Sequence, residues 1–168
     1  MLKRVKKTSV QAAQADRFVI IASKYNAQYV EGMLGAAQSV LAKASAGKVE
    51  VVRVPGAFEI PVVAAALAAR RTERPSVVIC LGVILRGATT HAQHIGESVS
   101  AALAQIQVLH QVPIIHEVLL LENEDQAKAR CLSPDHNRGA EAAYTALEMA
   151  STMRRLSVDG SRTKRRPR

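Results

Sequence analysis

From Val77 to Leu81, and running on toward Leu85, almost every residue is apolar. A strand of this kind has no face for water, so the sheet that holds it must be covered on both sides. Three more short apolar runs occur at Phe18 to Ser23, Val49 to Val54 and Ile114 to Leu121. Helical patterns alternate with them. Val30, Met33, Leu34, Ala37, Val40 and Leu41 recur at helical spacing, and Ile60 to Arg71 is Ala-rich, with Pro61 tolerated in a first turn. Thr89 or Thr90 can cap a helix reaching about Gln111. Glu122 to Arg130 reads as a short helix, Leu132 to Arg138 as a polar connection and Gly139 to Arg155 as a final helix. Strands that alternate with helices need crossovers, which make neighbouring strands parallel. The expected fold is therefore α/β, a three-layer α/β/α sandwich around a four-stranded parallel sheet.

That arrangement is flavodoxin-like, and the 168 residues suffice for one such domain. With 48% hydrophobic and 22% charged residues, the chain has the composition of a globular protein. No apolar run approaches the roughly 18 residues of a membrane span, and no apolar segment after Met1 to Val10 reads as a secretory signal. The cytoplasm is the expected compartment. Cys80 and Cys131 form no CxxC, so neither a disulfide framework nor a zinc site is expected.

The net charge of +9 sits at the ends of the chain. Residues 1–17 carry five Lys/Arg against one Asp, and residues 154–168 carry seven against one. Between them 11 basic side chains meet 12 acidic ones. The chain thus divides into a basic N-terminal arm at 1–16, an α/β domain at 17–153 and a basic C-terminal tail at 154–168. Solvated tails account for such charge runs, and any nucleic-acid binding through them should be weak.

Ligands of open parallel sheets bind outside the carboxyl ends of the strands, in the loops that follow them. Tyr25 and Phe58, two of only five aromatics, follow the first and second strands. Their rings can stack on a planar heterocycle or simply close the top of the core. Glu59, at a helix start, either favours the helix dipole or accepts hydrogen bonds from ligand hydroxyls. After the third strand, Arg86-Gly87-Ala88-Thr89-Thr90-His91 offers a glycine and free N–H groups at a helix start, a small seat for phosphate. No Gly-x-Gly-x-x-Gly or Walker pattern is present, which disfavours a dinucleotide or nucleoside triphosphate. His91 can take and give protons near neutral pH, or stand as a solvent-facing polar residue. With His94 it would make only two ligands of a metal site. Arg130 and Arg138 flank the last polar connection, as an anion clamp or as solvated surface.

Three ordered segments carry a resemblance. They are Val54-Pro55-Gly56-Ala57-Phe58-Glu59-Ile60-Pro61, then Leu81-Gly82-Val83-Ile84-Leu85-Arg86-Gly87-Ala88-Thr89-Thr90-His91, then Glu122 to Ala127 with Arg130 and Asn137-Arg138-Gly139-Ala140-Glu141-Ala142-Ala143. Over about residues 17–153 the chain resembles the 6,7-dimethyl-8-ribityllumazine synthase family. The resemblance implies a transferase that needs no cofactor or metal. It would condense 5-amino-6-(D-ribitylamino)uracil with 3,4-dihydroxy-2-butanone 4-phosphate, releasing phosphate and water, in the penultimate step of riboflavin biosynthesis.

Residue by residue, the resemblance implies that Tyr25 stacks on the pyrimidine and that Asn26 follows it as in the family. Ala57, Phe58 and Glu59 would contact the ribityl chain and ring, and the backbone of Val83, Ile84 and Leu85 would read the uracil. Ala88 and Thr89 would form the phosphate loop and Arg130 would bind the phosphate. His91 stands at the catalytic position. His116 replaces an aromatic that a neighbouring subunit usually supplies, and Ser133-Pro134-Asp135-His136 replaces a Lys/Gly-rich stretch of many members. The family implies a homo-oligomer, a pentamer or a multiple of pentamers up to a shell, and admits riboflavin synthase as a partner. A flavodoxin-like module that binds a phosphorylated or flavin-like ligand without catalysis is the rival reading; it would use the same aromatics and loop but would not need His91.

Overall fold

The computed structural model describes residues 4–162, with side chains through residue 157. Four parallel strands, β1 (Phe18–Ser23), β2 (Val49–Val54), β3 (Val77–Leu85) and β4 (Ile114–Leu121), lie in the order β2-β1-β3-β4. The inner pair, β1 and β3, is buried almost throughout, whereas at the edges β2 is half-buried along most of its length and β4 is buried at four of its eight residues. This ranking follows the sequence: the edge strands carry charged or polar side chains in their interiors, Glu50 and Arg53 in β2 and His116 and Glu117 in β4, and the inner strands do not.

Helices α1 (Ala27–Lys43), α4 (Glu124–Cys131) and α5 (Arg138–Arg162) cover one face; α2 (Ile60–Ala68) and α3 (His91–His110) cover the other. Alternating residues of each strand feed the two cores. Phe18, Ile20, Ile79 and Leu81 pack with Tyr29, Met33 and Leu147, while Val19, Ile21, Val78 and Cys80 pack with Ile60, Leu103 and Val99. The expected three-layer α/β/α sandwich is the observed one.

Helix ends differ from the sequence reading in three places. The second helix is preceded by a 3-10 turn at Ala57–Glu59 and stops at Ala68, short of Arg71. The fourth begins at Glu124 because the Asn123 side chain accepts from the Gln126 N–H at 3.0 Å and caps it. The fifth runs through the expected end at Arg155 to Arg162, so the first part of the basic C-terminal segment is helical. Residues 1–3 and 163–168, the rest of the two basic ends, lie outside the described residues.

Two polar groups fasten the periphery. Asn137, buried between helices, donates to the Gly32 carbonyl at 3.2 Å and to the Cys131 carbonyl at 2.5 Å, and its Oδ1 accepts from Gly139 N–H at 2.9 Å. It thereby joins α1, α4 and α5. A Cβ on Gly139 would stand 1.9 Å from the Met33 carbonyl oxygen, so α1 and α5 cross at a distance that only glycine permits. In the N-terminal segment, the buried Asp16 carboxylate accepts from Ala13 N–H at 2.8 Å and from Arg154 of α5.

Candidate active site

Because β1 lies between β2 and β3, the loops after these three strands meet at one end of the sheet. They enclose a cleft of about 460 Å³ lined by Tyr25, Asn26, Gly56, Ala57, Phe58, Glu59, Val83, Ile84, Leu85, His91 and Ile95. Nine expected site residues are therefore brought together. Tyr25 and Phe58 remain 69% and 60% exposed, too open to serve as lids on the core and available to a flat ligand.

The Tyr25 loop is pinned to its neighbour by backbone bonds: Lys24 N–H donates to the Val54 carbonyl at 2.9 Å and Tyr25 N–H to the Pro55 carbonyl at 3.1 Å. Gly56 makes room for the ring, since a Cβ there would lie 3.0 Å from Tyr25 Cδ2 and 2.9 Å from Glu59 Oε2. Glu59 Oε2 accepts from the Gly56 N–H at 2.9 Å, so this carboxylate is already oriented by the backbone turn that it closes.

Asn26 occupies the left-handed region, at φ 54, and its Nδ2 donates to the Val83 carbonyl at 2.8 Å. β3 pairs with β4 through Leu85 but with β1 only through Leu81, because β1 ends and turns away at Ser23. Beyond Leu81 the β1-facing edge of β3 is thus open, and Asn26 satisfies one carbonyl of it. Arg86 N–H donates to the Leu121 carbonyl on β4 at 2.8 Å. In an extended strand adjacent residues point their amide groups to opposite edges, so Leu85 aims its N–H and C=O into the cleft. That is a donor and an acceptor side by side, the pattern that the edge of a cyclic amide complements.

His91, exposed, opens α3, and its N–H reaches Thr89 Oγ1 at 3.4 Å. Thr90 occupies the cap position without a side-chain capping bond. The loop between β3 and α3 is anchored at its root by Arg86, whose Nε lies 2.8 Å from Glu122 Oε2. Gly87, Ala88 and Thr89 are exposed, and a Cβ on Gly87 would meet nothing within 4 Å. The packing of the chain does not require that glycine.

Ala88, Thr89, His116 and Arg130 do not line the cleft of their own chain. Arg130, half-buried near the end of α4, donates to the Gln126 carbonyl at 3.2 Å. His116 lies on β4, where its Nε2 is 2.9 Å from Ser100 Oγ. Gly56 and Ile95 are lining residues that the sequence reading did not assign. Gly56 stands in the quoted segment beside Phe58 with no side chain to mark it, whereas Ile95, four residues after His91, shares its helix face.

The large titration shifts lie outside the cleft. Burial pushes the Glu117 carboxyl of β4 up to about 7, with Glu141 adding to the rise and Arg138 opposing it. Burial also raises the Cys80 thiol, and raises that of Cys131 to about 11, so neither is a nucleophile near neutral pH. Among the described residues no group of three or more His, Cys, Asp or Glu is placed to hold a metal ion. No helix among them is long and apolar enough to cross a membrane.

Comparison with known proteins bears on this arrangement. Residues 15–154 match the family described as 6,7-dimethyl-8-ribityllumazine synthase. The chain is 35% identical over 149 residues to the 6,7-dimethyl-8-ribityllumazine synthase of Stenotrophomonas maltophilia (strain R551-3), covering 88% of this chain and 95% of that protein. It is 37% identical over 142 residues to the synthase of the same name from Xanthomonas campestris pv. campestris (strain B100), covering 83% and 91%. The Xanthomonas oryzae pv. oryzae (strain PXO99A) protein is 36% identical over 142 residues, with the same coverage. With its flavodoxin-like sandwich and a cleft built from the matching segments, the chain belongs to the 6,7-dimethyl-8-ribityllumazine synthase family, a family of transferases.

Proposed function

We propose that the protein condenses 5-amino-6-(D-ribitylamino)uracil with 3,4-dihydroxy-2-butanone 4-phosphate to 6,7-dimethyl-8-ribityllumazine, the penultimate step of riboflavin biosynthesis. The observation that carries this reading is the single cleft in which two exposed aromatics, an oriented carboxylate, an open strand edge and a histidine converge. Tyr25 and Phe58 hold the ring, Ala57 and Glu59 the ribityl chain, and the edge of Val83, Ile84 and Leu85 the uracil, with Asn26 fixing that edge. Ala88 and Thr89 in the loop that leads into α3, with Arg130, hold the phosphate.

In this scheme the 5-amino group attacks the ketone and a water leaves with the imine. Elimination then expels phosphate. The enol left behind tautomerises to a new carbonyl, on which the ribityl-bearing nitrogen closes the ring as a second water leaves. Protons move at each stage, and His91 is the group in the cleft that can accept and return them. Holding two reactants together supplies much of the acceleration for a condensation that also proceeds slowly in water.

Arg130 and His116 lie outside the cleft of their own chain, which favours a site completed by an adjoining copy. The family relationship makes that assembly a pentamer or a multiple of one, working in the cytoplasm on small-molecule substrates, with riboflavin synthase as the enzyme that would take the product. The test is to incubate the purified protein with both substrates while following lumazine absorbance and phosphate release. Equal, substrate-dependent formation of both products is expected. Ligand binding without turnover would replace this reading with the non-catalytic module.

A further inference from the structure

His116 is held by two contacts that fix its proton. Ser100 Oγ donates to the Gly96 carbonyl at 2.7 Å, one turn back in α3. A hydroxyl has one hydrogen, so toward His116 the same oxygen is an acceptor and the imidazole Nε2, 2.9 Å away, is the donor. On the other side of the ring, Nδ1 lies 3.3 Å from the Val118 N–H. That N–H points to the open edge of β4, since Arg86 donates to Leu121 on the inner edge and amide directions alternate along the strand. Only an unprotonated Nδ1 can accept from it. The two contacts arise on different elements and assign the same tautomer, with the proton on Nε2 and Nδ1 accepting from Val118.

The reading above has His116 facing the ligand of an adjoining copy in place of an aromatic residue, and the inference rests on that reading. We propose that Ser100 is a positioning residue for the reaction, fixing His116 in one tautomer as an oriented plane against which the pyrimidine ring bound by the adjoining copy stacks. The Ser100 hydroxyl touches no reacting atom. Its effect is to immobilise a ring that could otherwise rotate or exchange tautomers, so that the ring behaves as a phenyl group would.

The proposal is tested on the full-length protein by imidazole 15N NMR, with His116 assigned by the signals lost in His116→Phe, and by steady-state kinetics. His116 should show the Nε2–H pattern, and Ser100→Ala should weaken that tautomer preference to what the Val118 contact alone holds. Ser100→Ala should raise KM for ribitylaminouracil about three- to tenfold with kcat within about twofold, the range expected for loosening one stacking contact. Ser100→Thr, which keeps the hydroxyl, should restore both. In a His116→Phe background, Ser100→Ala should have no further effect on KM, because its action runs through the histidine. An Nδ1–H or doubly protonated His116 in the parent near neutral pH, an unchanged KM in Ser100→Ala, or an equal KM rise in both backgrounds would each overturn the proposal. A parent protein that binds neither substrate would instead sink the underlying site reading, while the NMR pattern would still decide the tautomer.

Discussion

The Asn26 side chain donates to the Val83 carbonyl at 2.8 Å, across the gap left where β1 turns away from β3. The bond joins the loop that carries Tyr25 to the strand end that borders His91, so one amide sets the width of the cleft. It also explains why a residue at φ 54 is asparagine, a type that tolerates the left-handed region and can still reach a partner. Asn26→Ala should lose about 1 kcal/mol for the bond and about 1–2 kcal/mol more for the strained backbone. Asn26→Gly should lose only the bond. Urea denaturation of the two variants reads the difference, and both should raise KM for ribitylaminouracil. Equal stability losses would show that the backbone conformation costs nothing.

His91 and His94 stand near one another at the start of α3, yet only His91 lines the cleft. His91→Ala should lower kcat at least about tenfold and His94→Ala should change it little, since general acid/base assistance is worth roughly 10²–10⁴-fold. Substrate affinities measured separately should be near those of the parent. If His91→Ala turns over like the parent, proximity alone accounts for the rate.

Arg130 donates to the Gln126 carbonyl within its own helix at 3.2 Å. Arg130→Ala should chiefly raise KM for the butanone phosphate. Loss of one charge-assisted contact to a sequestered phosphate costs roughly 1.5–3 kcal/mol, on the order of 10–150-fold. An unaltered KM would remove Arg130 from the site.

Glu117 sits on the α5-covered face of β4, with its carboxyl raised by burial from 4.5 to about 7. Between these two values the folded chain holds a proton that the unfolded chain has released. Stability contributed by Glu117 is therefore greatest at the acid end of that window and is lost as pH rises through about 7. Glu117→Gln removes the buried charge and should be more stable than the parent at pH 8, by up to about 3 kcal/mol. Denaturation midpoints measured from pH 5 to 8 should also vary less in the variant. A variant whose pH profile parallels that of the parent would assign the dependence to another group.

The elements were legible because their signals are local. Val77 to Leu85 reads as a doubly buried strand from its own residues, and the helical spacing of Val30 to Leu41 needs no partner to be recognised. Loop chemistry was legible for the same reason: Tyr25, Phe58, Glu59 and His91 each follow a strand, where α/β folds bind their ligands. Helix ends were less so. α5 continues past Arg155 in a stretch where charge composition suggested a tail, and Arg154 meets the buried Asp16 of a segment distant in sequence.

What only the tertiary structure decided is which groups meet. The order β2-β1-β3-β4 sets the Tyr25, Phe58 and His91 loops around one cleft and leaves His116 and Arg130 outside it. The early end of β1 frees the edge of β3 that Asn26 then claims, and the packing of α3 on β4 brings Ser100 within 2.9 Å of His116. Apolar periodicity records how each segment partitions between core and water, so it can be read from the segment alone. A hydrogen bond between residues tens of positions apart depends on register and crossover, which exist only once the strands have paired.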